Sequence, residues 1–177
     1  MASTMSSYIP TSGATATRAA ETLTVPAANL PYDSTNMSIQ MQGRMTYADE
    51  DAVAVRFVEW VKDSSNGIIQ YLDTTSTAIG RPTFYQEESN IADSVGGAND
   101  AYSPGILVPF NIASRHGSTF VNGAVDGVAL TANTTPVALP DLSTTDLSIG
   151  YDMMGTIKLF RMWSDDLTDA GIAEASA

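Results

Sequence analysis

Residues 37–47 alternate between apolar and polar side chains. Met37, Ile39, Met41, Met45 and Tyr47 share one face; Ser38, Gln40, Gln42, Arg44 and Thr46 share the other. Successive side chains of a strand point to opposite faces, so this period of two predicts a β-strand with one dry side. The methionine set belongs in the core, and the glutamine set outside it or facing a groove. The stretch AVAVRFVEWVK repeats the pattern with Val53, Val55 and Phe57 inward. On that phase Trp60 points away from the core.

Turn signals punctuate these runs. Asn66-Gly67 predicts a type I′ hairpin turn, which needs positive φ at both central residues, with IIQYL returning as the partner strand. A strand over 83–87 follows Pro82, and because Phe84 and Tyr85 are adjacent, one of them faces outward. Residues 88–105 lack periodicity and read as a long loop around Gly96-Gly97. LVPFNIAS predicts a strand in which Pro109 marks an edge or a bulge. Tight turns are expected at Arg115-His116-Gly117 and Asn122-Gly123, with short strands near Val128 and over 147–151. The apolar run TIKLFRMW predicts a strand buried on both faces, with Phe160 and Trp163 in the core. Only the C-terminus predicts a helix, with Thr168 as N-cap, Leu167 stapled onto Ile172, and Asp169 complementing the helix dipole. Many short strands with frequent turns and one short C-terminal helix predict an all-β, two-sheet antiparallel sandwich.

Residues 1–20 show no periodicity, and Pro10 and Gly13 oppose regular structure, so an extended N-terminal arm is expected before a sandwich over 21–177. A short strand over 21–25 ends at Pro26. Tyr8, Ile9 and Pro10 would give the arm a compact apolar anchor on a neighbouring protein. The alternative, an arm that is itself an edge of the sandwich, stays open because TRAAETLTV flows directly into a strand.

Composition narrows the function classes. A chain of 177 residues can bury roughly 70% of its unfolded surface. Cysteine is absent, which excludes disulfides and thiolate metal sites. Twenty acidic residues against eight basic give a net charge of −12, without the basic stripe that phosphate neutralisation needs, so no nucleic-acid partner is expected. The acidity suits solubility, and it admits calcium in loops, with Asp49-Glu50-Asp51 as the candidate cluster; no other cofactor is expected. No run approaches the roughly 18 apolar residues of a membrane helix, and the polar start MASTMSSY does not predict a secretory signal.

Three segments carry a family resemblance, in order: SYIPTSGATATRAAE near the start, Phe120-Val121-Asn122-Gly123, and GTIKLFRMW closing on DDLTDAGIAEAS. Together they resemble bacteriophage tail and virion proteins that carry a concanavalin A-like lectin/glucanase (laminin-G-like) domain. The resemblance implies a jelly-roll sandwich on the outside of a virion, with other virion proteins as partners and a homo-oligomeric assembly. Proteins sharing the first segment usually carry the sandwich at the end of a longer chain. Either a short subunit with an attachment arm or one domain of a longer fibre is therefore expected.

That fold hosts both lectins and glycosidases, so catalysis is tested at the residues. The hydrolases of the resembling family carry a pattern like ExDxxE, which sets carboxylates on one strand face. Here Glu59 stands alone, Glu87-Glu88 are adjacent and point to opposite faces, and His116, expected in an exposed turn, has no nucleophile motif nearby. A non-enzyme is expected. A sugar site needs an aromatic platform flanked by amides and carboxylates. The candidates are Trp60, out of phase with its strand; Tyr85, beside Phe84; and Tyr102 with Asn99 and Asp100 in the long loop. Net acidity favours a neutral or amino sugar. The leading expectation is a virion surface protein (fibre, spike or decoration) that recognises host glycan. The rivals are a purely structural capsid or tail component and, more remotely, a degenerate glycanase.

Overall fold

The computed structural model describes residues 23–48 and 54–177. Its strands are β1 (Leu23–Val25), β2 (Asn36–Tyr47), β3 (Val55–Asp63), β4 (Asn66–Asp73), β5 (Arg81–Glu88), β6 (Ile91–Gly96), β7 (Gly105–Gly117), β8 (Val121–Val125), β9 (Val128–Ala129), β10 (Leu147–Ile149) and β11 (Met154–Trp163). One helix, α1 (Thr168–Ala175), follows them. A six-stranded sheet runs β1-β10-β3-β4-β5-β6 and a five-stranded sheet β11-β2-β7-β8-β9, with antiparallel pairing throughout. The expected two-sheet sandwich with a short C-terminal helix is the observed architecture.

The alternation in β2 sets the core. Met37, Ile39, Met41 and Met45 are fully buried, and full burial of such a side chain is worth about 1.5–3 kcal/mol. They pack on Phe57, Ile68 and Phe84 from the facing sheet. The rings of Phe57 and Phe110 meet at 4.7 Å across the sandwich. The opposite face of β2 is dry at one end, against expectation. Ser38 and Gln40 are buried because the C-terminal segment folds over them. Ser38 Oγ donates to Asp165 O at 2.9 Å and accepts from Leu167 N–H at 3.1 Å, and Gln40 Nε2 donates to Ala175 O.

Trp60 also departs from its expected position. The β3–β4 register slips between Arg56 and Val58, and this bulge inverts the alternation, so Val58 and Trp60 turn inward behind Phe57. Trp60 is fully buried, its indole donating to Thr145 O at 2.7 Å and packing edge-on against Tyr32.

Turn chemistry accounts for several corrections. The β3–β4 turn is Ser64-Ser65, and Asn66-Gly67 opens β4. Asn122-Gly123 lies inside β8, with Asn122 Nδ2 donating to Asp169 and to Leu130 O. Positive φ at both central residues occurs instead at Ser89-Asn90 (54° and 64°), joining β5 to β6, and at Asp126-Gly127 (46° and 85°), joining β8 to β9. The first pair folds residues 91–96 of the loop expected over 88–105 into β6. Arg115-His116-Gly117 closes β7 in strand conformation, and His116 is fully buried where an exposed turn residue was expected. Pro109 lies in the half of β7 that β8 does not reach, as an edge proline should.

Among the described residues β11 pairs only with β2, so it stands at the edge of its sheet and is not the doubly buried strand its composition predicted; Phe160 and Trp163 are half-buried. Phe160 still packs against the core. At α1 the N-cap position falls on Leu167, which makes no side-chain cap bond, and Asp166, in place of the expected Thr168, receives the Thr168 N–H at 2.8 Å. Leu167 and Ile172 do share a cluster, with Ala113 and Ala124 of the sheet beneath. Arg115 binds both oxygens of Asp166 at 2.8 and 3.0 Å and lies 2.9 Å from Asp169, which clamps the helix to β7.

Candidate functional site

α1 covers only part of the five-stranded sheet, and the other described residues leave the rest of its outer face open. There β2 presents Gln42 and Arg44, and β7 places Asn111 opposite Gln42 and Pro109 opposite Arg44. On the other side Thr156 of β11 pairs with Arg44. The ladder then slips between Ile157 and Leu159, so two residues, Lys158 and Leu159, stand where one would face Gln42. Such a bulge re-aims a side chain, and Lys158 is exposed beside the opening. Gly43 is required between these strands, since a Cβ there would run into the Thr156 carbonyl.

These residues enclose a cavity of about 640 Å³, walled on its far side by Asp126 and Ser176-Ala177. That size falls within the usual range of small-ligand sites. The wall is braced: the Asn111 N–H donates to Asp126 at 3.1 Å and to the Tyr102 hydroxyl at 3.2 Å, Asn111 Nδ2 donates to Ala177 O at 3.0 Å, and the Gly127 N–H donates to Ser176 Oγ at 3.2 Å. Arg44 donates to Leu107 O at 3.2 Å. The side chains of Gln42, Thr156 and Lys158 make no hydrogen bond or ion pair with the described residues. The cavity therefore offers two cations, an amide and a hydroxyl to whatever enters.

The residues proposed from sequence scatter. Trp60 and Tyr102 are buried and present no platform. The Tyr102 hydroxyl donates to Asn111 O at 3.3 Å, so this tyrosine anchors its own loop; burial, then the nearby Asp126, push its phenol up. Asn99 and Asp100 are exposed, but Asn99 Nδ2 turns back to Thr77 O at 3.0 Å and Asp100 holds its place through an N–H bond to Ile79 O. Tyr85 alone reaches a depression, a groove of about 220 Å³ on the outer face of the six-stranded sheet, with Arg56, Glu59, Ile69 and Glu87. Its hydroxyl donates to Glu87 at 2.7 Å, and burial, followed by Glu87, pushes the phenol up to about 12. Glu59 and Glu87 thus face one groove, a pairing not seen in the sequence because β4 separates their strands. Each is engaged, Glu59 with Arg56 at 2.9 Å and Glu87 with Tyr85. A shallow depression of about 700 Å³ runs from Gly96-Gly97 to Ala129–Asn133, but its lining offers mainly backbone and small side chains.

Tyr8, Ile9, Pro10 and Asp49-Glu50-Asp51 lie outside the described residues. Among the described residues no three Asp, Glu or His side chains gather as a metal site would require. The cavity's own signals were in the sequence: the polar face of β2, expected outside the core or facing a groove, and a lysine inside the apolar run TIKLFRMW.

No protein-family model matches the chain, and no curated protein matches it in sequence. Solved structures match in fold. The CBM40 of Ruminococcus gnavus IT-sialidase, bound to α2,3-sialyllactose, aligns at TM-score 0.61 and 11% identity over 81% of this chain and 83% of that one. Leech intramolecular trans-sialidase, complexed with 2,7-anhydro-Neu5Ac, aligns at 0.60 and 15% identity over 81% of this chain and 23% of its own. A botulinum neurotoxin type C structure, described by its interaction with two ganglioside molecules, aligns at 0.60 and 12% identity. This chain covers 86% of itself but only 38% of that toxin chain, and a comparable 39% of the HCR/D structure matched at 0.63. At these identities the likeness is one of fold, and the shared fold is a two-sheet β-sandwich.

Proposed function

We propose that this chain is a saccharide-binding β-sandwich module that works through the cavity on its five-stranded sheet and is displayed on a bacteriophage particle. One observation carries the binding role: the C-terminal segment covers one end of that sheet face and leaves beside it a braced cavity whose amide, hydroxyl and cationic side chains have few or no partners of their own. Sugars are bound by such convergent polar groups over a rigid sheet. The fold match to a module holding sialyllactose supports the same reading. The virion setting rests on the sequence resemblance alone. It includes residues 1–20 as a contact arm to other virion proteins, and a homo-oligomer.

The module binds and does not hydrolyse on this reading, since the two acids sharing a groove, Glu59 and Glu87, are already tied to Arg56 and Tyr85. Glycan-array binding of the wild type and of Gln42→Ala/Thr156→Ala tests it. Array binding that the double variant loses, with an unchanged melting temperature, supports the cavity. Array binding that survives the change rejects the cavity as the site. An empty array favours the purely structural virion component. Release of reducing sugar from a bound glycan would instead revive the glycanase.

A further inference from the structure

We infer that the saccharide taken by this cavity carries a carboxylate, as sialic and uronic acids do; the inference rests on the saccharide-binding reading of the same site. Among the cations of the described residues, Arg56, Arg81 and Arg115 are each paired with acids, and Lys62 lies in the field of Asp63 and Asp141. Arg44, Lys158 and Arg161 have no acidic partner among the described residues. All three lie on the adjacent strands β2 and β11, and Arg44 and Lys158 line the cavity itself. In a chain of net charge −12, where acids outnumber bases by more than two to one, setting Arg44 and Lys158 on one lining with no acidic partner among the described residues concentrates positive charge at one opening. Net charge predicts the opposite preference, a neutral or amino sugar, but the screening length is only about 8 Å at physiological salt, so a bound group senses the charges beside it.

The strand geometry agrees. The bulge that doubles Lys158 and Leu159 against Gln42 leaves Lys158 on the same cavity lining as Arg44, whose planar fork matches a carboxylate in two-point contact. Gln42 on that lining offers an amide for a hydroxyl or an acyl group. Asp126 is the acidic side chain on the lining, and it already accepts the Asn111 N–H on the far wall.

Isothermal titration of the full chain tests this with sialyllactose, a glucuronate-terminated disaccharide, the methyl ester of each, and lactose. At least one acid should bind, with its ester and lactose weaker by about tenfold or more and the affinity falling as salt rises. Arg44→Gln and Lys158→Gln should each produce a similar loss for the acid without a change in melting temperature. The ester comparison needs no mutation, so the test stands even if a variant folds poorly. Esters or lactose binding as tightly as the acids overturn the carboxylate inference and leave saccharide binding intact. A phosphorylated sugar that outcompetes the acids overturns the class. Failure of every sugar, with none bound on an array either, removes the saccharide reading along with the inference.

Discussion

His116 shows how far a single residue departs from its local sequence. It lies in the core with Nε2 2.9 Å from Ser114 Oγ, and that hydroxyl also accepts from Gln70 Nε2 at 2.5 Å from the facing sheet. Burial pulls the imidazole down to about 3. The unfolded chain binds a proton near pH 6.5, while the native ring stays neutral until far lower pH. The stability this group contributes is therefore complete above about pH 6.5 and lost as pH falls toward 3, by up to about 1.4 kcal/mol per pH unit. Asp33, Asp63 and Asp141, held below the usual carboxylate range by bonds to Thr35, Ser65 and Ser143, add their own loss at acid pH in any variant. The quantity to measure is the difference between wild type and His116→Gln in urea denaturation from pH 7 to about 4. The wild type should fall more steeply, and parallel profiles would show that the ring is hydrated. A histidine between Arg and Gly has no periodicity to signal this burial, which depends on β7 running on for two more residues.

At the scale of the element, two features decide what pattern alone misjudged: bulges and the close approach of strands. Gly123 illustrates the second. Asn-Gly is the strongest hairpin dipeptide, yet this glycine is in mid-strand because a Cβ there would overlap the Phe84 ring of β5. Gly123→Ala should destabilise by about 1–3 kcal/mol, the usual cost of overpacking. Phe84→Leu in the same chain should return part of that loss, a coupling that a double-mutant cycle in denaturant would resolve. Additive effects would mean that the two strands do not approach so closely. The Arg56–Val58 bulge explains Trp60 in the same way: one inserted residue inverts the phase, and the tryptophan expected at the surface becomes a core side chain.

For the whole molecule, the proposed arm gives the clearest prediction. A chain lacking residues 1–20 should melt within a few degrees of the full chain, while any oligomer seen by size-exclusion chromatography should be lost. Unfolding of the shortened chain would make the segment an edge of the sandwich. The sequence by itself determined the all-β class and the inward face of β2, because a period of two over eleven residues permits only one way to bury Met37, Ile39, Met41 and Met45. It also held the cavity's ingredients, as the polar set of β2 and the lysine within an apolar run. Tertiary structure alone decided the rest. The C-terminal segment, nearly 130 residues away in the chain, chose which half of the polar face of β2 is buried and which is open (Ser38 Oγ to Leu167 N–H is the bond that does it). Pairing β11 with β2 brought Lys158 to the cavity that Arg44 lines, and inserting β4 between β3 and β5 set Glu59 and Glu87 over one groove. Each of these is a contact between residues far apart in sequence, and local pattern carries no information about such contacts.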